Sequence, residues 1–333
     1  MKEKYGSIQM MRGIAALSVV FMHIGMVENG AFGVDLFFCI SGFIMMHVTE
    51  KSGYQFLQKR AIRIIPLYWL TTIVISALVL IKPDFFKTLI LTPEYFIKSL
   101  LFIPFYYTGV SGQSIRAINF VGWTLILEVF FYILFFISIK INHKYRHYIA
   151  TGILVFLAII GLTVKPENMS IRFYCMPIML EFSLGMFAYK FLTKPNTRKW
   201  GTSTAVVAIF AAILIWASLF AQKYFTHFTE VQRFITAGLP SIAFFLLLFK
   251  ALEGRSVPRS LMILGNISYS LYLIHTFTVQ GFSRLVYDID TYSPLGVVLT
   301  VVAVFPITIF VSWVSWWLIE NKFTEWIKRQ LKI

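Results

Sequence analysis

The chain has 333 residues, of which 58% are hydrophobic and only 14% charged, and its formal net charge is +15. This composition, with 34 phenylalanines and a mean hydropathy of +0.75, excludes an ordinary soluble domain. Apolar stretches close to the length of a bilayer crossing recur from one end of the chain to the other. The sequence therefore predicts an all-α, polytopic transmembrane helix bundle.

We predict about ten spans, which make up one integral-membrane domain covering residues 1–333 with no appended soluble domain. They lie near residues 8–25, 32–48, 64–81, 121–139, 148–164, 175–191, 203–220, 234–252, 262–282 and 295–318. Most of the 30 basic residues fall near the termini and in alternate loops, which predicts that both termini are cytoplasmic and that the long loop 82–120 is outside. The positive charge is then a topological bias that also attracts anionic membrane lipids, and no nucleic-acid partner is expected.

The first span contains Arg12 and His23, and ionisable groups inside a span are candidate functional residues. Eleven residues of helix separate them by about 16 Å along the axis and by about 20° around it. Both side chains therefore project from one helix face, which must look into a polar cavity lined by protein.

The second span carries Asp35 and the pair Ser41-Gly42. An acid at the start of a span must pair, cap the helix or face water, so Asp35 is a candidate substrate-binding residue. Gly42 removes a side chain beside Ser41, which allows close approach of either a ligand or a neighbouring helix.

Arg60 and Arg63 share a helix face at the expected cytoplasmic boundary of the third span. Basic residues at a span end are ordinary topological anchors. Together with Arg12 on the same side, they also suit a polyanionic cytoplasmic ligand, because guanidinium groups match phosphate geometry.

Glu128 lies about 10 Å below the outer boundary of the fourth span, and Glu181 is a second intramembrane acid in the sixth. Three roles are open for each: pairing with a cation, orienting an imidazole, or positioning a substrate hydroxyl. The ninth span contains Tyr269 and His275, and His275 lies near the depth inferred for His23. Two imidazoles at one depth indicate proton handling or acyl transfer within one cavity.

These features together resemble integral-membrane acyltransferase family 3, and in particular its short members that O-acetylate bacterial exopolysaccharide or O-antigen sugars. The resemblance rests on five elements in order along the chain, namely the Arg12 to His23 spacing, Phe37-Phe38 with Ser41-Gly42-Phe43, Arg60 with Arg63, Trp123 to Tyr132 around Glu128, and Ser268 to His275.

The resemblance implies transfer of an acyl group, acetyl in the first instance, from a cytoplasmic acyl-coenzyme A to a glycan hydroxyl in a bacterial inner membrane, with Arg12 and His23 essential. Acetyl-coenzyme A is then a donor substrate, the acceptor is a lipid-linked or nascent polysaccharide, and neither a bound cofactor nor a metal is expected. His23 is favoured as general base over a transient acyl-enzyme. Arg12, Ser41 or Tyr269 is expected to stabilise the oxyanion.

The alternative function is a secondary transporter or flippase, which also needs buried arginine, histidine and glutamate. Such a protein moves acyl or glycan groups across the membrane without chemistry. The sequence shows no paired halves with matching interrupted spans, which favours the enzyme.

Overall fold

The structure is a computed structural model that describes residues 6–27, 29–83, 89–109, 112–193, 199–222, 229–285 and 293–332. Helices dominate it, and helical segments occupy all ten predicted spans. The helices are α1 (Gly6–His23), α2 (Phe32–Val48), α3 (Phe56–Ile81), α4 (Pro93–Leu100), α5 (Trp123–Ile141), α6 (Arg146–Thr163), α7 (Met169–Tyr174), α8 (Leu180–Leu192), α9 (Thr202–Phe220), α10 (Glu230–Arg233), α11 (Leu239–Ala251), α12 (Arg259–Leu285), α13 (Pro294–Leu299), α14 (Phe305–Ser315) and α15 (Thr324–Leu331).

Among the described residues, seven helical segments are long and apolar enough to cross a membrane, which makes the chain a multi-pass membrane protein. They are Phe56–Ile81, Phe120–Ile141, Arg146–Thr163, Met169–Leu192, Thr202–Phe220, Glu230–Ala251 and Leu295–Leu331, and α2 is a shorter apolar helix. Neither α1 nor α12 is among the seven, because polar residues such as Arg12 and His275 lower their hydropathy. The count of ten crossings and the side of the termini stay predictions.

The last helix continues well beyond the predicted span end at residue 318. A π-helical segment, Trp316–Phe323, joins α14 to α15, so helix extends to Leu331. The hydropathy pattern marks where apolar residues stop, whereas the backbone hydrogen bonding continues through polar residues.

The expected loop 82–120 is folded over most of its described part. Thr92 caps α4 by accepting a hydrogen bond from the Tyr95 amide, with Pro93 at the first helical position. A two-stranded antiparallel hairpin follows, made of β1 (Phe105–Gly109) and β2 (Gly112–Arg116). This hairpin is a departure from the all-α prediction.

The chain divides into two compact units, each assembled from three stretches of sequence. The first unit comprises Met1–Tyr54, Ser138–Ala158 and Met176–Ser268, and the second comprises Gln55–Ile137, Ile159–Cys175 and Tyr269–Ile333. Helices α5, α6 and α12 contribute residues to both. The prediction of a single domain over residues 1–333 is not tested by this division.

In the first unit, α2 and α8 cross at two glycines. A Cβ atom on Gly42 would lie 2.0 Å from the Phe182 carbonyl oxygen, and one on Gly185 would lie 1.9 Å from the Cys39 carbonyl oxygen. The rings of Phe38 and Phe182 stack beside the crossing at 4.5 Å. The close approach allowed by Gly42 therefore serves a neighbouring helix.

In the second unit, α3 packs antiparallel to α5. Phe56 at the start of α3 contacts Tyr132 and Phe135 in the second half of α5, with ring centroids 6.1 and 5.6 Å apart. Further along α3, Ile75 and Val79 form an apolar cluster with Phe105 of the hairpin. The pairing of α3 with α5 brings the α3 arginines onto the face of α5 that carries Glu128.

Candidate active site

His23 ends α1 with one ring nitrogen fixed by the helix itself. Its Nδ1 lies 2.8 Å from the Val19 carbonyl oxygen, one turn earlier. A carbonyl oxygen only accepts hydrogen bonds, so Nδ1 carries the hydrogen in this arrangement. In the neutral ring, Nε2 then holds the lone pair, and the side chain is partly exposed. This is the tautomer that a general base on Nε2 requires.

His275 repeats this geometry in the second unit. Its Nδ1 lies 3.1 Å from the Leu271 carbonyl oxygen, again one turn earlier on the same helix. The side chain is completely buried, in contrast to that of His23. Of the two imidazoles, His23 therefore has the better access for a substrate. The expectation that both share one cavity stays a prediction.

Arg12 lies on the same helix as His23, as the sequence predicted. Its Nη1 is 3.5 Å from the Gln9 side-chain oxygen, and the residue is partly buried. Because α1 is continuous, the separation of about 16 Å along the axis is fixed. An arginine side chain is much shorter than that. Arg12 and His23 therefore present their side chains at well-separated levels of α1, and the catalytic roles expected of both stay predictions.

Asp35 is completely buried and its carboxylate is held by Arg233 in a bidentate ion pair. The Nε to Oδ1 distance is 3.3 Å and the Nη2 to Oδ2 distance is 2.9 Å. Glu181, also completely buried, adds a second carboxylate beside Asp35. Of the possibilities expected for an acid at the start of a span, Asp35 adopts pairing, and its predicted substrate-binding role stays a prediction.

Sequence reasoning missed Arg233, which it assigned to an outer loop. The ion pair joins residues 198 positions apart, and no local sequence pattern predicts a partner at that distance along the chain. Ser41, predicted to bind substrate, lies partly exposed on α2 next to the Gly42 crossing.

In the second unit, Glu128 accepts a hydrogen bond of 2.5 Å from the Tyr132 hydroxyl, one turn later on α5. The electrostatic neighbours of Arg60 are Tyr132, Arg63 and Glu128. Glu128 is thus near a cation, Arg60, which corresponds to the first of its three predicted roles. Tyr132 lies nine residues, or about 14 Å, before the end of α5. Arg60 therefore lies opposite the middle of α5, and its expected role as a donor ligand stays a prediction.

Tyr269 donates its hydroxyl hydrogen to the Ile64 carbonyl oxygen at 2.8 Å. Because a phenol has one O–H, this bond occupies the donor that an oxyanion role requires. The surrounding charged residues are Glu320, Glu128 and Arg63, of which Arg63 is exposed. Tyr269 thus fixes α3 beside the arginines.

Glu320 is a further carboxylate that the sequence analysis did not select. It accepts hydrogen bonds from the backbone amide and hydroxyl of Ser270, at 3.1 and 2.6 Å. It belongs to the π-helical segment Trp316–Phe323, and such segments are frequent at functional sites. The sequence feature that could have identified Glu320 is its position, only two residues beyond the predicted end of the last span at residue 318.

The model of acyltransferase family 3, described as an acyltransferase domain, matches residues 5–317, and the chain belongs to this family. The exopolysaccharide production protein ExoZ of Rhizobium meliloti (strain 1021) is 31% identical over 261 residues, covering 75% of this chain and 77% of ExoZ. Nodulation protein 10 of Rhizobium leguminosarum bv. viciae is 23% identical, covering 82% and 83%. No solved structure matches the chain.

The O-acetyltransferase OatA of Staphylococcus aureus (strain NCTC 8325 / PS 47) is 23% identical over 80% of this chain but only 49% of its own length. Family membership and these relatives make the chain a membrane O-acyltransferase. Of the two functions that the sequence predicted, these comparisons therefore support the enzyme over the transporter.

Proposed function

We propose that this enzyme transfers an acyl group, acetyl in the first instance, from cytoplasmic acyl-coenzyme A to a hydroxyl group of a bacterial surface glycan or exopolysaccharide. The acceptor is a lipid-linked or nascent polysaccharide reached from the outer side. The similarity to ExoZ and OatA, an exopolysaccharide production protein and an O-acetyltransferase, supports both the acceptor class and the acyl group. The proposed location is the cytoplasmic (inner) membrane, and the apolar helices support a location in a membrane.

The observation that carries the mechanism is the hydrogen bond from His23 Nδ1 to the Val19 carbonyl oxygen. It presents Nε2 as the base. In the proposed reaction Nε2 takes the proton of the glycan hydroxyl while its oxygen attacks the thioester carbonyl carbon. The tetrahedral intermediate then expels the coenzyme A sulfur, which takes the proton back from the imidazolium. The carbon–oxygen bond forms in the first step and the carbon–sulfur bond breaks in the second, and no acyl-enzyme is needed.

The arginines are proposed to bind the donor. Arg12 lies about 16 Å from His23 along α1, which suits the extended arm that carries the thioester. Arg63 is exposed and suits a phosphate group, whereas the positive charge of Arg60 is partly compensated by the nearby Glu128. Of the two predicted phosphate ligands, Arg63 is therefore the stronger.

The experiment compares the surface glycans of a deletion strain with those of the same strain carrying the wild-type gene. We expect mass spectrometry to show one class of acyl mass increment, lost on deletion and restored by the gene. Purified protein in nanodiscs should release coenzyme A thiol only when acceptor glycan is present. Unchanged glycan masses together with no thiol release would refute the proposal.

A further inference from the structure

The first unit contains a pocket of about 440 Å³ where the ends of three helices meet. It lies at the end of α2, the start of α6 and the end of α8, and its lining includes Glu50, His143, Lys144, Arg146 and Lys190. The volume is in the range of small-molecule sites and much larger than an inorganic ion needs. All three chain segments belong to loops predicted to be cytoplasmic.

The pocket carries more positive than negative charge. Lys144, Arg146 and Lys190 are permanent cations, whereas Glu50 is the one acid in the lining. Across the described part of the chain, no ion pair within 4.0 Å involves these four residues. By formal charge, three cations face one carboxylate, and an anion of charge about −2 balances the lining.

Arg146 is the buried cation of the pocket lining, and its side chain is held rigidly. Its side chain is buried, with the residue only 4% exposed, and it donates to Thr49 Oγ1 at 3.1 Å and to the carbonyl oxygens of His143, Met46 and Thr49. All of these acceptors are neutral, so the guanidinium keeps its full charge. The carbonyls of Met46 and Thr49, at the end of α2, are occupied by the same contacts.

Among the described residues no carboxylate forms an ion pair with the Arg146 guanidinium within 4.0 Å, although Glu50 acts on it electrostatically. Burying a cation that is so weakly paired is costly, and a bound anion offsets that cost. Two features strengthen the attraction. Arg146 begins α6, where the helix dipole is positive. Lys190 and Arg146 also both lie within electrostatic range of the same neighbouring ring, that of His147.

We propose that this pocket binds a phosphate monoester dianion. A monoester balances the two surplus positive charges, whereas a carboxylate or a phosphodiester, with charge −1, leaves one uncompensated. Two sources carry this chemistry on the cytoplasmic side: the 3′-phosphate of coenzyme A, which rests on the proposed function, and the headgroup of phosphatidate. The room left in the pocket accommodates the organic part to which the phosphate is attached.

The first arm of the test uses full-length protein in phosphatidylcholine nanodiscs and compares binding of coenzyme A with that of 3′-dephospho-coenzyme A. If the nucleotide is the source, the wild type should bind coenzyme A about tenfold more tightly, the effect of about 1.4 kcal/mol. The double variant Lys144→Ala/Lys190→Ala should lose this preference. Both lysines are exposed, so their removal leaves the Arg146 contacts and the fold intact.

The matched control is Lys140→Ala, an exposed lysine in the last turn of α5 that is not part of the pocket lining. It should keep the wild-type preference. The second arm uses nanodiscs containing phosphatidate and measures retained lipid by native mass spectrometry. If the lipid is the source, the double variant should lose retained phosphatidate and Lys140→Ala should keep it.

A change in either arm that is confined to the double variant supports the pocket and identifies the source. Equal behaviour of wild type, double variant and control in both arms overturns the proposal. Binding is measured without turnover, so the two proposals fail separately. If binding depends on the phosphate group but no glycan is acylated, the proposed function alone is refuted. If glycan is acylated but wild type, double variant and control bind coenzyme A and phosphatidate equally, the proposed phosphate site alone is refuted.

Discussion

At the scale of single residues, the catalytic assignment depends on a difference between two histidines with the same local geometry. Each donates Nδ1–H to the carbonyl oxygen one turn earlier, so each presents Nε2 as the basic nitrogen. His23 is partly exposed at the end of its helix, whereas His275 is completely buried within α12. A base must reach a substrate hydroxyl, and accessibility therefore selects His23.

Replacing His23 with alanine should lower turnover by about 10²–10⁴-fold, because it removes the group that takes the hydroxyl proton. Raising the acyl-coenzyme A concentration should not restore the rate, since the loss lies in the chemical step. The measurement is steady-state coenzyme A release by purified protein with acceptor glycan.

The comparison variant is His275→Ala, which removes an imidazole of identical backbone hydrogen bonding from a buried position. We expect its main effect on the amount of folded protein, because it leaves a cavity. Wild-type turnover in His23→Ala would show that His23 is not the base. If, in addition, a well-folded His275→Ala variant loses turnover, the base is His275.

At the scale of helices, α2 is held against α8 by backbone proximity at Gly42 and Gly185. In lipid the hydrophobic effect does not drive helices together, so small residues that let backbones approach supply much of the association. This contact positions the helix that carries Asp35 and Ser41.

Gly42→Ala should lower the free energy of unfolding by about 1–3 kcal/mol, because the new Cβ would lie 2.0 Å from a backbone oxygen that cannot move aside as a side chain does. Thermal unfolding in detergent measures the change. The control is Gly152→Ala in α6, where an added Cβ meets no atom within 4 Å.

Alanine is the better helix former, so the control should be neutral or stabilised by up to about 1 kcal/mol. If Gly42→Ala unfolds like Gly152→Ala, close approach of the two backbones is not required.

At the scale of the whole molecule, the alternation of basic loops predicts the arrangement in the membrane. Lys51 and Lys332 are exposed in segments predicted to be cytoplasmic, and Glu94 is exposed at the start of α4 in the predicted outer region. Donor binding from the inside and glycan access from the outside both depend on this arrangement.

Cysteine-accessibility labelling in intact cells tests it, in a background that lacks the buried Cys39 and Cys175. A membrane-impermeant reagent should label Glu94→Cys in intact cells, and label Lys51→Cys and Lys332→Cys only after the membrane is opened. Labelling of Glu94→Cys and Lys51→Cys from the same side would eliminate the ten-span arrangement.

The positions of the helices followed from the sequence because hydropathy acts locally, and a run of apolar residues requires a helix whatever it packs against. The same local chemistry identified Arg12 and His23 as residues of one helix face. The signal for α4 was also local, since Thr92 followed by Pro93 is a typical helix start, but apolar periodicity alone does not detect an eight-residue helix.

The tertiary structure decided which of these residues meet. Asp35 pairs with Arg233 across 198 positions, Glu128 lies beside Arg60, and Arg146 joins the ends of α2 and α6. The reason is physical: a buried charge is satisfied by whatever group the packed helices bring within a few ångströms. That partner depends on crossing points such as Gly42 with Phe182, which no single segment of the sequence encodes.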